Sequence, residues 1–323
     1  MNAELGSVGN GTNAELAPAG DGRITVPGLV DLHGHGGGGA SAEGDEAAIR
    51  RVLSAHRAHG TTRQLLSLVA NPIPELAASL ARLRAVAAEE AQLVGAHLEG
   101  PFLAPARRGA HDPTHLLPPA PEHVAALLAA GAGVLRMVTI APELPGALEA
   151  IRAFIDAGVI VAVGHTEADT ATVHAAFDAG ARVLTHAFNA MPPIAGREPG
   201  PLGAALADGR VTIEVIADGV HVHPDNLRWL FEAAPGRVAA VTDAMAAAGA
   251  ADGLYRLGGL DVAVSDGRAV IAGTERLAGS TLTLDRAIAV LVAAGVPLQA
   301  AVDAATVVPA RVLGIEPSGR VEL

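Results

Sequence analysis

The feature that most constrains the fold of this chain is an alternation of short apolar runs with helical patterns, which becomes regular from residue 28. Candidate strands lie at residues 28–33, 62–68, 93–98, 134–140, 159–163, 182–186, 211–217 and 237–242. Helical patterns lie between most of them, for example at 45–58, 73–89, 121–130, 146–157, 169–179 and 223–234. Strands that alternate with helices predict a parallel sheet, and eight of them suggest closure into a (β/α)₈ barrel of the TIM type.

The pattern changes after the eighth candidate strand and is also different at both ends of the chain. Residues 254–272 predict a β-hairpin insertion with its turn at Asp266-Gly267. Helices are expected at about 281–294 and 297–313. We therefore expect an irregular lead-in over residues 1–26, a barrel over 27–313 and a short tail over 314–323.

Composition limits the classes of partner and of metal ligand. Half of the 323 residues are apolar but only 2% are aromatic, so alanine, valine and leucine must fill the core. No cysteine is present, which leaves histidine and carboxylate side chains as metal ligands. No apolar run approaches about 18 residues and no signal-peptide pattern is present, so we expect a cytoplasmic protein without a membrane span. The net charge of −12 argues against nucleic-acid binding.

Ionisable side chains follow five of the predicted strands, at the points where those strands end. They are His33 and His35 in PGLVDLHGHG, Glu99 in GAHLEGPF, His165 in VAVGHTEAD, His186 in VLTHAFNAMPP and Asp243 in AAVTDAM. The active site of a (β/α)₈ barrel is built from the carboxyl ends of several strands. Imidazole and carboxylate groups on one face also suit a hydrolytic divalent metal. The sequence therefore predicts a metal-dependent site at that face.

Most of these histidines also have a purely structural explanation that the sequence leaves open. His33 and His35 lie two apart on an extended segment, so they point the same way and can bind one ion, or they form an exposed pair. His165 and His186 can each be a hydrogen-bonded core histidine. Only the pattern as a whole favours a metal site over these separate explanations.

Further residues are candidates for binding or catalysis. Glu99 favours a functional role, because a buried carboxylate is costly unless it is paired or metal-bound, whereas His97 is expected to point away from the surroundings of Glu99. Asp243 can move a proton of a metal-bound water, or cap the following helix. His221 can donate to an oxyanion, or be an exposed loop histidine. Arg197, in PPIAGREPGP, can bind an anion, or be surface-solvated.

Together the motifs resemble one family, the N-acetylglucosamine-6-phosphate deacetylases of the amidohydrolase superfamily. The matching segments are PGLVDLHGHGGGGA, HLEGPFL, RRGAHDP, GHTEAD, THAFNAMPP, GREPGPLGAAL, ADGVHVHP, VTDAMAAAG and LAGSTLTLDRA, between about residues 27 and 313. The resemblance implies hydrolysis of the N-acetyl group of N-acetylglucosamine-6-phosphate, which yields glucosamine-6-phosphate and acetate.

The resemblance also implies how the metal is held. Glu99, His165 and His186 would bind the principal divalent ion, and some family members keep two histidines after the first strand and hold a second ion. This chain keeps both, His33 and His35, so that Glu99 could bridge two ions. The metal could be Zn²⁺, Fe²⁺, Mn²⁺ or Co²⁺, because histidine and carboxylate sites accept all four.

Catalytic and substrate-binding roles follow from the same resemblance. Asp243 would be the general base and acid, and His221 would polarise the acetyl carbonyl. The sugar phosphate would contact Ala110, His111, Asn189, Ala190 and Arg197. The counterpart of Arg197 in family members can reach across a subunit interface, so a homodimer is implied.

Two expectations concern what this chain lacks and what else it could do. Family members build a small β-sandwich from both chain ends, and here that sandwich is expected to be reduced or missing. Activity on another N-acyl amino sugar or an N-acyl amino acid is the alternative within enzymes. A non-catalytic sugar-phosphate sensor is the alternative outside them, although a binding protein has no need of a general base.

Overall fold

The computed structural model describes residues 13–20 and 23–323, so that residues 1–12 and 21–22 of the predicted lead-in lie outside the described residues. Its strands are β1 Ala17–Gly20, β2 Arg23–Pro27, β3 Leu29–Asp31, β4 Gly36–Gly37, β5 Ala40–Ser41, β6 Thr61–Leu68, β7 Leu93–Glu99, β8 Leu135–Ile140, β9 Ile160–Val163, β10 Val183–Leu184, β11 Thr212–Ile216, β12 Val238–Val241, β13 Gly253–Leu257, β14 Leu260–Ser265, β15 Arg268–Ile271 and β16 Arg320–Glu322. Its helices are α1 Glu46–Ala58, α2 Ile73–Ala87, α3 Pro121–Gly131, α4 Ala147–Asp156, α5 Thr170–Asp178, α6 Gly200–Ala207, α7 Pro224–Ala233, α8 Leu284–Ala293, α9 Leu298–Ala304 and α10 Val307–Leu313.

Eight strands form a single parallel sheet in the order β12-β11-β10-β9-β8-β7-β6-β3, which confirms the predicted (β/α)₈ class. A helix follows each of these strands in the chain, and both faces of the sheet are buried, as parallel sheets require. The strand β12, Val238–Val241, is buried along its whole length and consists only of valine and alanine. Small side chains therefore form much of the core, as the low aromatic content predicts.

The two outer strands of this sheet, β3 and β12, meet just beyond their carboxyl ends and close the barrel. The amide of Asp243 donates to the carbonyl of His33 at 2.8 Å, and the amide of His35 donates to the carbonyl of Ala244 at 2.7 Å. Below them, the Thr242 hydroxyl donates to a carboxylate oxygen of Asp31 at 2.6 Å. Closure of the barrel thus brings three of the predicted site residues together directly.

The predicted helix at 297–313 is wrong in one respect, because the structure has two helices, α9 and α10, in its place. Proline has no N–H, and its ring clashes with the carbonyl four residues earlier in a continuous helix. For Pro309 that carbonyl belongs to Ala305, and it accepts a hydrogen bond from the amide of Val30 at 2.8 Å instead. The break therefore ties the end of the chain to the first barrel strand.

In the part of the chain that the structure describes, three small antiparallel sheets accompany the barrel. The strands β1, β2 and β16 come from both chain ends and form a three-stranded sheet, which is a reduced form of the expected β-sandwich. The strands β13, β14 and β15 form a three-stranded meander where a hairpin is predicted, and its second turn is Asp266-Gly267 with φ values of 52° and 72°. The strands β4 and β5 form a short pair beside the barrel seam. In the described residues no helix is both long and apolar enough to cross a membrane.

Candidate active site

The predicted metal-binding and proton-transfer residues lie at the carboxyl end of the barrel. Glu99 is the last residue of β7, while His33 follows β3 closely and His165, His186 and Asp243 each follow their strands by two residues. All five side chains are nearly or fully buried. The topology thus gathers onto one face residues that are far apart in the sequence.

Three of these residues have an unusual backbone conformation. His165, His186 and Asp243 have φ values of 48°, 25° and 45°, in the left-handed region that residues other than glycine seldom adopt. Such strained positions cluster at functional sites. Here each one turns the chain sharply at a strand end, so that the side chain points towards the barrel axis.

The first group of donor atoms surrounds one carboxylate oxygen. Glu99 Oε1 lies 2.9 Å from His165 Nε2 and 2.9 Å from His186 Nε2. The two imidazole nitrogens are 3.0 Å apart. We call Glu99, His165 and His186 the first donor set.

A second group shares the same glutamate. The Nε2 atoms of His33 and His35 are 3.2 Å apart. His35 Nε2 lies 3.2 Å from Glu99 Oε2 and 3.2 Å from Asp243 Oδ1. We call His33, His35, Glu99 and Asp243 the second donor set, whose ligand atoms all lie within 4.8 Å of one another.

The outward-facing nitrogens show that these residues fit a divalent metal. His165 Nδ1 lies 2.8 Å from the carbonyl oxygen of Arg107, and His35 Nδ1 lies 3.2 Å from that of Ser67. A carbonyl oxygen only accepts, so each Nδ1 carries a proton, and each Nε2 is the nitrogen that would offer its lone pair to a bound ion once its own proton is displaced. Lone pairs and carboxylates that converge in this way are the donors that bind a divalent cation.

The ionisable groups of the site shift one another's pKa values. Burial alone would raise the pKa of Glu99, but the surrounding histidines, His33 and His165 foremost, hold it well below its usual range. Burial opposes protonation of His35, but its hydrogen bonds to Asp243 and Glu99 outweigh this effect and raise its pKa to about 9. Burial would also raise the pKa of Asp243, yet the contact with His35 lowers it to about 2. The carboxylates are therefore ionised and require positive charge between them.

His111 also faces Glu99, but its hydrogen bonds make it a donor rather than a ligand. Its Nδ1 accepts from the amide of Ala70 at 3.1 Å, so the proton is on Nε2, which lies 3.3 Å from Glu99 Oε2. Burial is the main cause that lowers the pKa of His111 to about 4. A neutral imidazole therefore steadies the outer oxygen of the shared glutamate.

A cavity of about 340 Å³ opens above the donor sets. Its wall includes five residues expected to contact substrate: Ala110, His111, Asn189, Ala190 and His221. Arg197 is exposed, and within the part of the chain that the structure describes it does not line this cavity.

Three other arginines line the cavity instead. Arg107 forms an ion pair with Glu167 at 3.0 Å, whereas Arg108 and Arg276 contact backbone carbonyls. Guanidinium groups at this position can receive an anionic substrate in a protein of net charge −12. Arg276 lies in the meander-to-helix segment and carries no motif that would single it out in sequence.

Beneath the donor sets lies a layer of buried polar side chains that sequence reasoning missed or misjudged. The expectation that His97 points away from the surroundings of Glu99 is wrong, because residues two apart on a strand share a face. His97 is fully buried, and its ring packs edge-on against His33 at 4.6 Å. Its nitrogens lie 2.9 Å from Ser67 Oγ and 2.8 Å from Thr139 Oγ1.

Glu214 and Asp31 belong to the same layer and were also missed. Each is fully buried in the barrel interior, where a lone carboxylate within an apolar strand is expensive without a partner. The available signal was a single charged residue inside an apolar run, TIEVI for Glu214 and GLVDL for Asp31.

The similarity of the chain to known proteins agrees with this geometry. The model of the amidohydrolase family matches residues 24–323. An N-acetylgalactosamine-6-phosphate deacetylase from Escherichia coli O157:H7 is 38% identical over 301 residues, 92% of this chain and 80% of that protein. An N-acetylglucosamine-6-phosphate deacetylase from Bacillus subtilis is 38% identical over 271 residues, 81% and 68% of the two chains.

A solved structure provides a further comparison. It is a mutant of the N-acetyl-D-glucosamine-6-phosphate deacetylase from Mycobacterium smegmatis in complex with N-acetyl-D-glucosamine-6-phosphate. Its TM-score is 0.89 at 45% sequence identity, with 93% of this chain and 82% of the other covered.

Proposed function

Because this chain belongs to the amidohydrolase family, and within it to the N-acetylglucosamine-6-phosphate deacetylases, we propose that its cavity is the site of that reaction. The enzyme hydrolyses the N-acetyl amide of N-acetylglucosamine-6-phosphate to glucosamine-6-phosphate and acetate. The observation that carries this proposal is the position of Asp243 and of the shared Glu99 at the floor of a cavity large enough for a sugar phosphate.

Two donor sets that share a glutamate are of the kind that holds two divalent ions. The proposal is that the first donor set holds the principal ion and that His33 and His35 contribute to a second one. A divalent metal bound there would supply a coordinated water of lowered pKa and a positive charge that polarises a carbonyl. We expect His186→Ala to lose its tightly bound metal. A His33→Gln/His35→Asn double variant should lose the second ion alone.

The side chains around the metal site have separate tasks in this proposal. Asp243 is ionised, since its pKa is about 2, and it accepts the proton of the attacking water and then delivers it to the amide nitrogen. His221 donates a hydrogen bond from Nε2 to the acetyl oxygen as negative charge develops there. Its Nδ1 is held by Asp218 Oδ2 at 2.6 Å, which directs Nε2 away from that contact.

Recognition of the sugar phosphate is proposed for the cavity wall. Ala110 and Asn189-Ala190 contact the substrate through the sides of the cavity, and His111 contacts it beside Glu99. Arg197 is exposed, and in a homodimer it would reach the phosphate of a substrate bound to the partner subunit. The proposal also includes a cytoplasmic location.

The test is a comparison of acetate release from three related substrates by metal-loaded protein. We expect N-acetylglucosamine-6-phosphate to be preferred over its galactosamine epimer and strongly over N-acetylglucosamine without the phosphate. The epimer is included because one of the relatives is a deacetylase of N-acetylgalactosamine-6-phosphate.

Other outcomes separate the alternatives. Preference for an N-acyl amino acid, or for another N-acyl sugar, would replace the substrate while keeping the amidohydrolase chemistry. Binding of the sugar phosphate without any acetate release by the metal-loaded protein would indicate a sensor.

A further inference from the structure

Glu214 is a buried carboxylate to which the proposed mechanism gives no task. It lies on β11, two residues before Ile216, and residues two apart on a strand share a face. Because Ile216 lines the cavity, Glu214 points into the barrel interior one pleat deeper. Its side chain is fully buried there, directly beneath the donor sets.

The contacts of this carboxylate are few and specific. Glu214 Oε2 lies 3.4 Å from His33 Nδ1 and 3.5 Å from the backbone amide of His186. Within the described residues, Glu214 Oε1 has no hydrogen-bond partner. A buried carboxyl group with so few partners destabilises a fold, and an apolar residue of similar size would be less costly. Its presence therefore requires an explanation other than stability.

The contact with His33 decides which nitrogen of that ring carries the proton. A carboxylate oxygen accepts hydrogen bonds, so His33 Nδ1 donates to Glu214, and His33 Nε2 is the nitrogen left to face an ion that displaces its proton. That Nε2 lies 3.2 Å from His35 Nε2 and 3.4 Å from Glu99 Oε1. The ring is supported from a different direction by His97, edge-on at 4.6 Å.

We propose that Glu214 is a positioning residue that orients His33 and thereby sets the affinity of the second donor set for its divalent ion. This inference rests on the metal-dependent function proposed above. Carboxylate partners of metal-binding imidazoles fix the tautomer and raise the basicity of the ligand. The corresponding partners of His35 and His165 are backbone carbonyls, so His33 is distinguished from them by a charged partner.

The first donor set should respond much less. Glu214 reaches His186 only at its backbone amide, and it makes no hydrogen bond to the His165 ring. Substitution of Glu214 is therefore expected to weaken binding of the second ion while leaving the affinity for the first ion nearly unchanged.

The experiment titrates metal-free protein with Co²⁺ and follows both the number of bound ions and the visible absorption of each site. In Glu214→Gln, which keeps the size but removes the charge, we expect the first ion to bind as in the unaltered protein. The second should bind about 10- to 100-fold more weakly, the usual effect of removing such a partner. Glu214→Asp, which keeps the charge, should recover part of the affinity. Asp208→Asn is the control, because that carboxylate pairs with Arg210 and does not line the cavity.

The outcomes decide for or against the inference. Unchanged affinity for the second ion in Glu214→Gln would overturn it, and so would equal weakening of both ions together with a lower melting temperature, which would indicate a structural role. If Glu214→Gln does not fold, selective weakening of the second ion in Glu214→Asp supports the inference and an unchanged second ion overturns it. An unaltered protein that holds only one Co²⁺ at saturation would also overturn it, whereas the proposed function would stand or fall separately on acetate release.

Discussion

The protonation of His221 depends on one neighbouring carboxylate. Burial alone would lower the pKa of His221, but the hydrogen bond and the charge of Asp218 outweigh burial and raise it above the usual value. An imidazolium at this position can donate from Nδ1 to Asp218 and from Nε2 to the substrate at the same time. A group with a raised pKa stays protonated to higher pH and loses its proton only as the pH rises through that pKa.

The proposed role of His221 therefore predicts a pH dependence. In Asp218→Asn the pKa of His221 should fall, so the alkaline limb of a kcat/KM profile should move to lower pH, with a larger loss of activity at pH 8 than at pH 6. The matched control is Asp225→Asn, which removes an exposed carboxylate 3.6 Å from the exposed His223. An alkaline limb that does not move in Asp218→Asn would exclude His221 as the ionising donor.

Residues at strand ends were predictable, whereas those one pleat deeper were not. His165 and His186 each occur in a motif that ends an apolar run, and this position indicates that their side chains face the site. His97 and Glu214 lie inside runs, where the sequence shows which face a residue shares but not what lies across the barrel. The neighbour of Glu214 is His33, 181 positions away in the chain.

At the scale of elements, the closing contact between β3 and β12 holds one side of the second donor set. The Thr242 hydroxyl donates to Asp31 at 2.6 Å, and it also accepts from the amide of Ala244 at 3.2 Å. Both Thr242 and Asp31 are fully buried. Their hydrogen bond therefore ties the two ends of the eight-stranded sheet together.

Removal of this hydroxyl should destabilise the barrel. Thr242→Val keeps the shape of the side chain but leaves a buried carboxylate short of a donor, which costs about 1–3 kcal/mol. Thr114→Val removes a similar hydroxyl-to-carboxylate bond to Asp112 at an exposed position and should cost much less. Chemical denaturation of both variants measures the difference in the free energy of unfolding. Equal values would show that the closing contact between β3 and β12 does not depend on this bond.

The order and type of the elements were predictable because apolar periodicity and strand length are local properties. Each observed barrel strand lies inside its predicted range or extends one residue beyond it. The break between α9 and α10 was signalled by Pro309, but the amide of Val30 that uses the freed carbonyl comes from the other end of the chain. Closure of the barrel and the reduced terminal sheet likewise depend on pairings between distant segments.

At the scale of the whole molecule, the proposed homodimer makes a prediction about Arg197. If Arg197 serves the partner subunit, then a mixed dimer of an Arg197→Ala subunit and an Asp243→Asn subunit contains one complete site. Each variant alone should be nearly inactive or should have a raised KM. Random mixing of the two should restore about one quarter of the sites, since half of the dimers are mixed and each has one complete site of two.

The same experiment has a clear contrary result. No gain of activity after subunit exchange, with exchange verified by mass spectrometry, would mean that Arg197 acts within its own subunit or not at all. Arg108 and Arg276, which line the cavity, would then be the next residues to test.

The central claim is that Asp243 moves the protons of a metal-dependent deacetylation, and one measurement tests it most directly. Turnover of N-acetylglucosamine-6-phosphate by Asp243→Asn is compared with that of the unaltered protein, with metal content and substrate affinity measured on the same samples. The amide keeps the shape and one ligand oxygen but cannot accept the proton. We predict that kcat falls at least roughly 10²-fold while substrate still binds. Near-normal turnover in a variant with its full metal content would contradict the account.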